Sequence, residues 1–179
     1  LGYVTRMILA RKLSLEDFGL LYAVITTISF LTIFTNIGLG TAQVKFIAHF
    51  EAIKEKKKVS EILKFTFITR LTLAIIIGGL MVFFAKGLAA DYFKISEVLP
   101  VYLTGIGLIV LTFFSFLSRS LQGFKKVVRM SLMEFLQKLI FLGIAFVVII
   151  ILFNFKNGTN MIILYIVSIL LAIIIVTPG

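Results

Sequence analysis

Cysteine is absent from the 179 residues, which excludes disulfides, thiolate metal sites and cysteine nucleophiles. His49 is the only histidine, so neither a histidine-built metal cluster nor a histidine proton relay is possible. No glycine-rich phosphate loop follows a strand, which removes an ATPase motif. Asp and Glu number only 8 against 18 Lys and Arg, and the four types together make up 15% of the chain. Enzyme chemistry finds little support in such a set, and neither a catalytic site nor a bound cofactor is expected.

What fills the chain is apolar. Hydrophobic residues account for 60%, and the mean hydropathy is +1.15. A water-soluble fold could not hide that much apolar surface. A spanning helix needs about 20 mostly apolar residues, and several such runs are separated by short polar stretches. The expected class is all-α: a polytopic transmembrane bundle of about six helices, forming one unit over residues 1–179. A barrel is excluded because the runs lack polar/apolar alternation. The net charge of +10 sits in lysine clusters between the runs. Topology and lipid headgroups explain such clusters, and nucleic acid does not enter.

The pattern predicts the end of a first helix at residues 1–10, then helices over 18–44, 62–85, 101–121, 131–153 and 161–176. Residues 86–100 read as a loop or interfacial piece, with Pro100 opening the next helix. The chain begins without Met inside an apolar segment and ends just after another, so a truncated first helix and a longer parent chain are expected. Lys45, Lys54, Lys56, Lys57, Lys58, Lys64, Lys125, Lys126 and Arg129 outweigh Arg11, Lys12, Lys86, Lys94 and Lys156, which places loops 45–64 and 122–129 in the cytoplasm of a multi-pass cell-membrane protein.

Ionisable groups inside apolar spans are costly unless they face a cavity or a partner. Arg6, Arg70, Arg119 and Lys138 qualify, with Glu134 the only acidic candidate. The topology puts Arg70, Arg119 and Lys138 at a shared depth, within about 10 Å of the cytoplasmic boundary at 1.5 Å per residue, and Arg6 in the outer half. Arg119 can snorkel to headgroups, and Lys138 can pair with Glu134 one turn earlier. Arg70 has no acid within a turn and is expected to face a cavity. Ser29, Thr32, Asn36, Gly40 and Gln43 share one helical face, as do Thr112, Ser115, Arg119 and Gln122; both stripes suit either helix packing or a polar path. Glu16 and Asp17 read as a solvated loop or helix N-terminus, and Asn157-Gly158-Thr159 matches a glycosylation acceptor.

The run Ala10-Arg11-Lys12-Leu13-Ser14-Leu15-Glu16-Asp17-Phe18-Gly19-Leu20 resembles the signature after the first helix of polysaccharide-lipid flippases, in the multidrug/oligosaccharidyl-lipid/polysaccharide exporter superfamily. The likeness continues through Asn36-Ile37-Gly38-Leu39-Gly40-Thr41-Ala42 and Leu121-Gln122-Gly123. Ser14-Leu15 stand where the family usually has Gly-Pro, a change that affects a loop turn. The resemblance implies two six-helix lobes around a central cavity, this chain being the amino-terminal lobe and its carboxy-terminal partner lobe lying beyond it. It also implies movement of a lipid-linked oligosaccharide on a polyprenyl phosphate or diphosphate to the outer leaflet. Arg6, Arg70, Arg119, Lys138, Glu134 and Asn36 are then the candidate cavity residues, with Arg70 favoured as the phosphate holder. Export of cationic drugs is disfavoured by the scarcity of buried carboxylates. Flipping of a peptidoglycan precursor, or a non-transporting helical scaffold, stays open.

Overall fold

The computed structural model describes residues 2–93, 95, 97–151 and 157–176. Lys94, Lys156 and residues 152–153 of the expected fifth helix lie outside the described residues, as do the final three. Among the described residues the chain is helical, without a strand. In chain order the helices are α1 (Gly2–Lys12), α2 (Leu15–Asn36), α3 (Leu39–Ala52), α4 (Lys56–Phe83), α5 (Ala85–Gly87), which runs into a π-helical turn at Leu88–Tyr92, α6 (Leu99–Gly123), α7 (Val127–Ile151) and α8 (Gly158–Val176). Five of them, α2, α4, α6, α7 and α8, are long and apolar enough to cross a membrane. This is roughly consistent with the expected six.

The principal difference from expectation lies at residues 37–38. The helix predicted over 18–44 is two helices, because Ile37 (φ 33°) and Gly38 (φ 74°) both adopt left-handed backbone. The apolar run continues across the break, so periodicity alone could not see it. The first turn of α3 needs acceptors for its free N–H groups, and Asn36 Oδ1 accepts from Gly40 N at 2.9 Å. Asn36, one of the candidate cavity residues, therefore also caps the first turn of α3. The polar stretch expected as a loop from Lys45 is mostly the second half of α3 and the start of α4. At 1.5 Å per residue the 28 residues of α4 reach about 42 Å, longer than the hydrocarbon core. The helix is therefore long enough to carry its lysine-bearing first turns outside the lipid tails.

Helix α6 is the centre of the bundle and packs on α2, α3, α4, α7 and α8. Small residues allow the closest approach: a Cβ built on Gly105 would lie 3.2 Å from the carbonyl oxygen of Gly78, so α4 and α6 meet backbone to backbone. Thr35 and Thr112 share a hydrogen bond at 3.2 Å between α2 and α6. A second packing centre joins α1, α2, α7 and α8 through Leu9, Leu21, Val24, Phe141 and Met161. At one end of the bundle, Gly158 N donates to Asp17 Oδ1 at 2.6 Å. Glu16 and Asp17 thus stand at a helix N-terminus, one of their two expected settings, and the first turn of α2 caps α8.

Candidate functional site

Arg6 and Lys138, assigned to different depths on sequence grounds, line one cavity of about 410 Å³ between α1, α2, α7 and α8. Helix α7 starts at Val127, four residues before the expected 131. Eleven residues of helix put Lys138 about 17 Å from that start, near mid-span. Arg6 lies six residues, about 9 Å, from the last residue of α1. Both side chains are solvent-accessible in the bundle. The Arg6 guanidinium sits over the ring of Tyr22, 4.6 Å from its centroid, an arrangement in which the ring face attracts the cation. Tyr3, Tyr165 and Gln137 complete the polar wall, and none of the lining residues is acidic.

These tyrosines and Gln137 carry no charge and stand in neither polar stripe, so charge and stripe patterns in the sequence do not single them out. The available signal was tyrosine itself: three of the chain's five stand on this one cavity. Phe141 holds the Tyr165 ring edge-on, at 5.4 Å between centroids.

Lys138 does not pair with Glu134. The ion pair among the described residues is Lys58 with Glu55, exposed at 2.7 Å. Glu134 turns instead to α6, where its carboxylate accepts from Ser118 Oγ at 3.1 Å. Together with Ser115, Arg119 and Gln122 it lines a separate cavity of about 220 Å³. Arg119 donates to Gln122 Oε1 at 3.0 Å, so its head is directed along its own helix.

Arg70 is 0% exposed. It lies among α3, α4 and α6, donating from Nη2 to Ser115 Oγ at 2.9 Å and from Nη1 to Gln43 Oε1 at 3.5 Å. Its Nε has no partner. Gln43, itself fully buried, passes the network on, donating from Nε2 to Ser120 Oγ at 2.7 Å and to the Phe116 carbonyl at 3.3 Å. A guanidinium held only by neutral groups lacks the charge compensation that burial calls for. Arg70 faces neither lipid nor an open cavity, so no headgroup reaches it in this conformation. Among the four cations, Arg6 and Lys138 line one cavity, Arg119 lines another with Glu134, and Arg70 is buried.

The polar stripes divide in the same way. Ser29 and Thr32 hydroxyls donate to the carbonyls of Ile25 and Ile28 on their own helix, whereas Gln43 and Ser115 meet at Arg70. Among the described residues no group of three or more His, Asp or Glu side chains could hold a metal.

A family model described as polysaccharide biosynthesis protein matches residues 1–177. Neither a curated protein nor a solved structure matches the chain.

Proposed function

The chain belongs to the polysaccharide biosynthesis protein family, and from that premise we propose that it is a flippase lobe that carries a polyprenyl phosphate- or diphosphate-linked oligosaccharide from the cytoplasmic to the outer leaflet. The observation that carries this reading is the cavity in which Arg6 and Lys138 stand with Tyr3, Tyr22, Tyr165 and Gln137 and without a carboxylate. A phosphate leaving water for a low-dielectric bundle needs cations. Arg6 offers a planar fork that grips two oxygens, and Lys138 a mobile point charge. Tyrosine rings offer apolar faces to sugar C–H groups and hydroxyls to sugar oxygens. The lipid tail stays in the bilayer beside the lobe while the headgroup crosses.

A carrier of cationic drugs would be served by acidic walls, and this wall has none. Transport of this kind breaks no covalent bond, which suits a site without a nucleophile or a general base. The basic ends of α3 and α4 and the turn from α6 to α7 support a cytoplasmic position for loops 45–64 and 122–129. A carboxy-terminal lobe of the same chain would close the cavity from the other side.

The test is binding of a labelled polyprenyl-diphosphate sugar to the purified full-length protein, joined to export in a flippase-deficient strain. Arg6→Gln and Lys138→Gln should each weaken binding and export about tenfold, the size of one lost charge-assisted contact, at unchanged membrane abundance. Full binding and export by the double variant would overturn the reading, and a scaffold would bind no carrier lipid at all.

A further inference from the structure

A third cleft opens at the end of the bundle where α6 and α8 finish and α7 begins. It holds about 220 Å³ and is lined by Leu117, Leu121, Phe124, Met133 and Val176, with Ser120, Lys126 and Arg129 as its polar members. None of these is acidic, and no acidic residue stands in the first turn of α7 either. Two cations beside a helix N-terminus add to the positive end of the helix dipole, an unfavourable arrangement unless an anion joins it. The remaining wall is apolar, and Met133 at its base is fully buried. The Ser120 hydroxyl is already engaged, accepting from Gln43 and donating to the Phe116 carbonyl, so it offers no unmet polar demand inside the cleft.

We propose that this cleft is a binding site for an anionic phospholipid, with the phosphate on Lys126 and Arg129 and the upper part of an acyl chain along Leu121, Phe124, Met133 and Val176. The pairing of charge and apolarity selects that occupant. A soluble anion would leave the apolar wall wet, a lipid of zero net charge would bring its own cation beside Lys126 and Arg129 and leave their charge uncompensated, and a basic pocket between helix ends at the membrane boundary meets phospholipid headgroups at that depth. The cleft is too small for a whole lipid, so the rest of the chains remain in the bilayer. Seated there, the lipid would brace the junction of three helices, with Ser120 linking its wall through Gln43 to Arg70.

Native mass spectrometry of the purified full-length protein tests the site, using phosphatidylglycerol and phosphatidylcholine of identical acyl chains, with polyprenyl phosphate as a separate competitor. Retention of phosphatidylglycerol should exceed that of phosphatidylcholine by on the order of tenfold, as two headgroup-level cations imply. Lys126→Gln with Arg129→Gln should abolish the preference. Leu121→Trp, which fills the cleft without changing charge, should lower phosphatidylglycerol retention as well. Lys56→Gln with Lys57→Gln, an equal loss of charge elsewhere at the same end, should leave it intact. Equal retention of the two phospholipids, an equal effect of the Lys56/Lys57 variant, no effect of Leu121→Trp, or displacement by polyprenyl phosphate in preference to phosphatidylglycerol would each overturn the proposal. Transport is not the readout, so the result stands apart from the flippase reading.

Discussion

Asp17 and Gly158 join the two ends of the described chain: the Asp17 carboxylate accepts from the Gly158 backbone N–H at 2.6 Å, and the same carboxylate takes the Ser14 hydroxyl at 2.5 Å. Ser14 Oγ in turn accepts from Asp17 N at 3.1 Å and caps α2. One side chain thus organises the starts of two helices. The fit leaves no spare room, since a Cβ on Gly158 would lie 2.7 Å from the Asp17 carbonyl oxygen. Asp17→Ala should lower stability by about 1 kcal/mol through the lost cap. Gly158→Ala should cost about 1–3 kcal/mol by overpacking against backbone that cannot swing aside. Thermal midpoints of the purified protein check both, and an unchanged midpoint for Gly158→Ala would contradict the packing described.

The break between α2 and α3 makes a prediction of opposite sign. Ile37 is β-branched and holds φ at 33°, a region that disfavours such side chains by about 1–2 kcal/mol. Its side chain is exposed, so little packing is lost on its removal. Ile37→Asn or Ile37→Gly should therefore raise the midpoint by a few degrees, Asn more cleanly because Gly also frees the unfolded chain. A fall for both variants would mean that the Ile37 side chain supports the bundle or its lipid contact.

Much of this architecture is legible in the sequence, and the exceptions have physical causes. Apolar runs fix the number and order of the spanning helices because lipid tolerates little else. The break at Ile37-Gly38 hides inside such a run, marked only by glycines at 38 and 40. Residues 127–130 look like loop yet are helical, so α7 begins about a turn earlier than its apolar run suggests. Gln43 and Ser115 are visible as members of polar stripes, but a stripe shows only which face is polar. That both converge on Arg70 depends on how α3, α4 and α6 cross, which one-dimensional spacing does not encode.

The absence of cysteine makes the proposed orientation easy to test. Cysteine placed at Lys57, in the exposed first turn of α4, should react with an impermeant maleimide only after the membrane is opened. Cysteine at exposed Glu97, just before α6, should react in intact cells. Both sites lie outside the apolar spans, so insertion should be undisturbed. The reverse labelling pattern would invert the topology and with it the direction assigned to transport.

Arg70 offers the sharpest separation of stability from activity. Its burial with Ser115 and Gln43 as its hydrogen-bond partners, and with an unpartnered Nε, burdens the fold with an uncompensated charge. Replacing a buried charge by an apolar side chain of similar length is often neutral or stabilising. Arg70→Met should accordingly keep or raise the thermal midpoint, although Gln43 Oε1 loses its donor. If the cation were only a packing element, export would then be normal. A destabilising charge in the middle of a bundle is expected to serve a state in which an anion reaches it. Arg70→Met should therefore cut export at least tenfold at undiminished abundance, while Arg70→Lys, which keeps the charge but not the fork, should retain part of it. Measuring midpoint and export on the same preparations decides the matter: a stable Arg70→Met protein that exports normally would reduce Arg70 to a structural residue.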